Sequence, residues 1–215
     1  LGIDNLVFIS ILSGRLPPEQ RAKARRIGLA LAMGMRVVLL TMLSTIMAMT
    51  RPLFHVMEHA VSGRDLVLLA GGVFLLVKST LEIHHHVEGH HERTATTAPL
   101  GFSRALVQIA LLDIVFSLDS VITAVGTVEH ITLMILAVAI SILVMVLFVN
   151  AVAEFVERHP TFKMLALSFL VLIGVALFAD GLGLHIPKGY VYFAMAFSLS
   201  VELLNMRFRK RTAKA

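Results

Sequence analysis

Apolar residues fill this chain in long blocks, and short polar stretches punctuate them. Blocks of spanning or near-spanning length fall at 1-13, 27-50, 66-83, 103-126, 131-153, 163-182 and 190-206. A helix needs about 20 apolar residues to cross the hydrocarbon core of a bilayer. The pattern therefore predicts an all-α, polytopic transmembrane bundle of about seven helices. The breakers between blocks carry Pro and Gly: "SGRLPPEQ", "TRPLF", "TTAPLG", "RHPTFK" and "LHIPKGY". The first block, Leu1 to Leu12, is short and has no charged n-region. It reads as the later part of a first helix rather than as a signal peptide.

Composition agrees. The 215 residues are 57% hydrophobic and only 15% charged, against about 25% charged in an ordinary soluble domain. A pI of about 10.0 would suit nucleic acid, but the bases lie in clusters between apolar blocks, as at a membrane surface. A lipid bilayer is the expected partner and nucleic acid is not. There is no cysteine, so disulfides and thiolate metal sites are excluded.

The bases also predict topology. Arg15, Arg21, Lys23, Arg25 and Arg26 fall in one connection, and Arg93, Arg104, Arg158, Lys163 and a basic tail at 207-215 follow on the same side when sides alternate. Only Arg51, Arg64 and Lys188 fall on the other side, while Arg36 and Lys78 lie within spans. The positive-inside rule puts the N-terminus outside and the tail in the cytoplasm.

A weak internal repeat overlies this plan. "LGIDNLVFI" at 1-9 matches "FSLDSVITA" at 116-124, and "AGGVFLLVKSTLE" at 70-82 matches "SFLVLIGVALFAD" at 168-180. One transmembrane domain over 1-206 would then hold repeat one at about 1-83, repeat two at about 103-182 and a last helix at 190-206. Three helices per copy makes the repeat inverted, an arrangement that puts a substrate site near the midplane between the copies.

The candidate chemistry is carboxylate. Acids inside a bilayer are expensive and mark ion or proton paths. Asp4, Asp113 and Asp119 qualify. On a regular helix Asp113, Ser117 and Ser120 share a face, and Asp119 points about 120° away from Asp113. Either Asp119 meets Asp4 from the other copy while Asp113 lines the path, or the helix is irregular there. Carboxylate, amide and hydroxyl oxygens form a hard-ligand set for Mg²⁺, Ca²⁺ or Mn²⁺, so the metal candidates are Asp4, Asn5, Asp113, Asp119 and Ser120. The same acids could carry protons. The competing structural reading pairs them with Arg36 or Lys78, and Lys78 is also spaced to pair with Glu82. Asp180 reads as an acid near the outer surface, and Glu154 and Glu157 as solvated. His84, His85, His86, His90 and His91 crowd one connection, which reads first as a solvated linker and second as a weak metal-collecting loop. No phosphate loop, hydrolase triad or metalloprotease motif is present, and nothing supports an enzyme.

The motifs "GIDNLVFIS", "KARRIGLALAMGMR", "LLDIVFSLDSVITAVG", "FVERHPTFKMLALSFLVLIG" and "HIPKGYVYFAMAFS" together resemble the TerC family of bacterial integral membrane proteins, in its short inner-membrane branch. The resemblance implies a place near the LysE-type exporters in the bacterial inner membrane. It implies efflux of a divalent metal as substrate, Mn²⁺ first, with no organic cofactor. The family's intramembrane acidic motifs would fall on Asp4-Asn5, Asp113 and Asp119-Ser120. The rival reading is a non-transporting membrane scaffold or insertion factor, with the polar residues acting as glue between helices.

Overall fold

In the computed structural model the described residues are 3–42, 45–46, 50–56, 59–88, 101–127 and 131–212; the side chains at 3, 4, 56, 59, 88, 124–127, 131 and 209–212 lie outside the description. Seven helices and one hairpin account for nearly all of them: α1 (Ile3–Gly14), α2 (Pro18–Thr41), β1 (Pro52–Val56), β2 (His59–Ser62), α3 (Gly63–Glu88), α4 (Phe102–Thr127), α5 (Ile131–Arg158), α6 (Pro160–Gly181) and α7 (Lys188–Thr212). The all-α bundle is as expected. Within it α3, α4, α5 and α6 are each long and apolar enough to cross a membrane.

Local chemistry sets the ends of these helices. Prolines begin α2 and α6 at positions whose amides have no helical partner. Ser62 and Asp65 form a reciprocal cap at the start of α3. The Ser62 amide donates to Asp65 Oδ2 at 2.9 Å, and the Asp65 amide donates to Ser62 Oγ at 3.3 Å. Gly183 stops α6 at φ 79°. The Leu184 amide then reaches back to the Ala179 carbonyl and the Gly183 amide to that of Asp180, the closure that a left-handed residue permits.

Several boundaries differ from the hydrophobic pattern. α2 starts at Pro18, not 27, because its first turns are good helix formers that hydropathy alone does not register. α3 runs on to Glu88, so His84, His85 and His86 are helical rather than in a linker. The stretch after Arg51 pairs as an antiparallel hairpin, with His55 opposite Ala60 and an irregular register between Pro52 and Phe54.

Packing is organised around α3 and α6, the most extensive helix pair, followed by α2 with α4 and α1 with α5. α3 and α6 run antiparallel: Asp65 and Leu69 face Gly181, while Leu75 and Leu76 face Gly174. A Cβ at Gly72 would lie 2.8 Å from the Phe178 amide nitrogen and 2.9 Å from the Gly174 carbonyl oxygen, so only glycine fits this crossing. α2 and α4 run parallel, with Gly28 against Ile109 and Arg36 against Ser117. Ile9, Leu75, Ile109, Leu112, Met145 and Leu167 form the centre of the core, each fully buried.

Ion pairs gather at the two ends. Arg15 meets Glu82 at 3.1 Å, and Arg21 and Arg25 meet Glu157 at 3.1 and 2.9 Å, so the basic connections share one end. Arg64, Asp119 and Lys188 meet at the other.

Candidate functional site

Asp113 sits on α4, five residues beyond Gln108 and six before Asp119, with only 2% of its surface exposed. Three helices supply its surroundings. Asn5 of α1 donates from Nδ2 to Asp113 Oδ1 at 2.6 Å. Arg36 of α2, itself buried, donates from Nη2 to the same oxygen at 3.5 Å and from Nε to Ser117 Oγ at 3.3 Å. Asp113 Oδ2 is buried and accepts no hydrogen bond among the described residues. One carboxylate therefore carries a long ion pair and a short amide bond on one oxygen, and leaves its other oxygen open.

A cavity of about 310 Å³ adjoins this cluster between α2, α4 and α5. Arg36, Ser117, Ser120 and Ser141 give it a polar edge, and Val121, Met134 and Val138 make the rest apolar. Ser120 points its hydroxyl to the Phe116 carbonyl at 2.5 Å, the usual discharge of a helical serine.

Asp119 lies six residues on, about 9 Å further along the axis, and faces a different set of groups. Its Oδ1 accepts from Arg64 Nη2 at 3.2 Å, and its Oδ2 accepts from Lys188, which also donates to Thr123 Oγ1 at 2.9 Å. The two acids diverge round the helix as their spacing requires, and each is met by bases from other helices.

Asp113, Asn5 and Arg36 come together; Asp119 stands apart with Arg64 and Lys188; Ser120 lines the cavity. Asp4 belongs to α1, but its side chain lies outside the described residues, and so does its expected meeting with Asp119. Lys78 does not take Glu82, whose carboxylate goes to Arg15 from the neighbouring connection. Asp180, in the last turn of α6, is 7% exposed and receives His185 Nδ1 at 3.3 Å and the Ile186 amide at 3.4 Å. The rings of His84 and His85 are tilted against each other, with centres 6.1 Å apart, while His90 and His91 lie outside the described residues. Among the described residues no three His, Asp or Glu side chains cluster tightly enough to hold a metal ion by themselves.

In the sequence Arg64 and Lys188 stand only as connection charges. The signal for them was present: alternating sides puts 51-64 and 183-190 at the same end as the C-terminal half of α4. Glu157, a solvated acid by its place in the sequence, binds two arginines.

The model of the family described as integral membrane protein TerC matches residues 1–215. The chain belongs to the TerC family. Among TerC relatives, a UPF0053 protein of Haemophilus influenzae is 53% identical over 212 residues, covering 98% of this chain and 89% of that protein. The UPF0053 inner membrane protein YgdQ of Escherichia coli K12 is 50% identical over 211 residues, with the same coverage of 98% and 89%. The UPF0053 inner membrane protein YoaE of that strain is also 50% identical over 211 residues, but the match covers only 41% of its length. No solved structure matches the chain.

Proposed function

We propose that this TerC protein is a secondary transporter of the bacterial inner membrane that exports a divalent cation, Mn²⁺ first, from the cytoplasm. The observation that carries the reading is Asp113. It is a carboxylate in the middle of an apolar bundle with one oxygen open, an amide and a hydroxyl nearby, and a cavity alongside. Asp113, Asn5 and Ser117 offer the hard oxygens that Mn²⁺ accepts. Arg36 then acts as a tethered stand-in for the substrate: it neutralises the acid in the empty carrier and yields to the arriving cation. Asp119, held by Arg64 and Lys188, repeats the arrangement one step nearer the less basic end.

The basic end faces the cytoplasm in this reading, with the N-terminus outside and the tail inside, in keeping with the positive-inside rule. An inverted 3+3 repeat belongs to this reading. Exchanging α1 with α4, α2 with α5 and α3 with α6 maps the antiparallel α3–α6 pair onto itself and turns the α2–α4 pair into α5–α1. Rocking of one copy against the other would expose Asp113 to each side in turn.

The test is metal content in cells expressing the protein, Asp113→Asn or Asp119→Asn. The expected result is Mn²⁺ retention with Asp113→Asn and partial retention with Asp119→Asn; clearance at the unmodified rate by both variants overturns the assignment.

The ion pairs themselves favour a second reading. Both described acids of α4 are met by protein bases, and Asn5, Arg36 and Asp113 tie three helices together as interhelical glue would. A membrane scaffold needs only the pair. Exchanging the charges, Arg36→Asp with Asp113→Arg, would preserve a scaffold's function and abolish a carrier's.

A further inference from the structure

We propose that Ser79 and Gln108 hold a single water molecule in a solvent port at the basic end of the bundle, behind the Arg15–Glu82 ion pair. Ser79 of α3 is 2% exposed, and its Oγ has no hydrogen-bond partner among the described residues. Gln108 Oε1 of α4 is buried and equally unpartnered. Both side chains line one cavity of about 20 Å³, with Lys78 and Glu82 on its polar side and Phe8 and Leu167 on its apolar side. Ser10, Ser120, Ser168 and Ser200 each donate to the carbonyl four residues back. Ser79 does not, so its hydroxyl is free for something in the cavity.

Size and charge choose the occupant. A void of this volume accommodates about one water, and two orphaned polar groups flanking it are the usual setting for one. Arg15 and Glu82 neutralise each other and Lys78 adds a positive charge, so a neutral hydrogen-bonding molecule fits where a metal cation would be repelled. Solvent reaches the site past Glu82 and Arg15, which keep 13% and 26% of their side-chain surface exposed. One turn deeper, at Leu75 of α3 and Leu112 of α4, exposure falls to 0% and 1%, and the polar lining ends. The port stands whether or not the chain carries a metal.

The absence of cysteine makes the test direct. Ser79→Cys and Leu75→Cys are each transferred in folded form into D₂O, and the S–H infrared stretch, unique in a chain without other cysteine, is followed. The thiol of Ser79→Cys should exchange to S–D at least tenfold faster than that of Leu75→Cys, since exchange needs only water at the sulfur; equal rates overturn the port. Hydroxyl-radical footprinting of the unmodified protein gives a second reading that needs no variant. Oxidation of Phe8 and Leu167 well above that of Leu75 supports a bound, exchanging water, and uniform protection of all three overturns it.

Discussion

A carboxylate buried as deeply as Asp113 persists only because Arg36 and Asn5 face it. Removing one member of a buried ion pair leaves the other uncompensated, at about 3–5 kcal/mol, while replacing both by apolar groups is often near neutral. Arg36→Leu should therefore lower thermal stability in detergent by that amount, and Arg36→Leu with Asp113→Leu should recover most of it. An equal loss in the single and double variants would mean that the pair is not the source of the cost. The acids of α4 were legible because charge inside an apolar block stands out. Their partners were not. Arg64 and Lys188 look like ordinary solvated bases until the fold brings three helix ends together, and no local spacing encodes that meeting. The bonds of Asn5 show the same limit: its place beside Asp4 suggested a shared ligand role, whereas its amide reaches across to Asp113.

Among the helices, α3 and α6 have the least tolerance for change. At Gly72 the nearest atoms to an added Cβ are backbone, which cannot rotate aside. Gly72→Leu should cost about 3 kcal/mol, the upper part of the usual overpacking range. Gly34, whose added Cβ meets nothing within 4 Å, should gain up to about 1 kcal/mol as alanine, by helix propensity. Unfolding midpoints of the two variants in one detergent would check the contrast. Helix existence was legible for every described helix, because apolar blocks of that length have few alternatives. Their starts were less so. Hydropathy marks the apolar part of α2 and misses the basic turns, where Arg25 finds Ser13 and Glu157. The hairpin escaped notice because "PLFHV" and "HAVS" are too short for a period-2 pattern to declare itself. The cap at the start of α3 could have been read, since Ser62 and Asp65 stand at the right spacing.

Over the whole molecule, charge is sorted to the ends, and Asp113 with Arg36 stands between them. The sorting was legible from where the bases fall; the tight crossing of α3 with α6 was not, since glycines in apolar blocks serve many purposes. The balance of the central pair has an electrical consequence. Asp113 and Arg36 together carry no net charge, so a rearrangement that moves them as a pair does no work against the membrane potential. A divalent ion added to them changes that, at about 2.3 kcal/mol per elementary charge per 100 mV. In the proposed carrier the empty return step is then indifferent to voltage and the loaded step is not. Clamping the potential of vesicles should change Mn²⁺ efflux while leaving the return step unaltered. Efflux independent of voltage would mean that counter-moving protons cancel the charge of the metal, making the Asp113–Arg36 pair part of an electroneutral exchange.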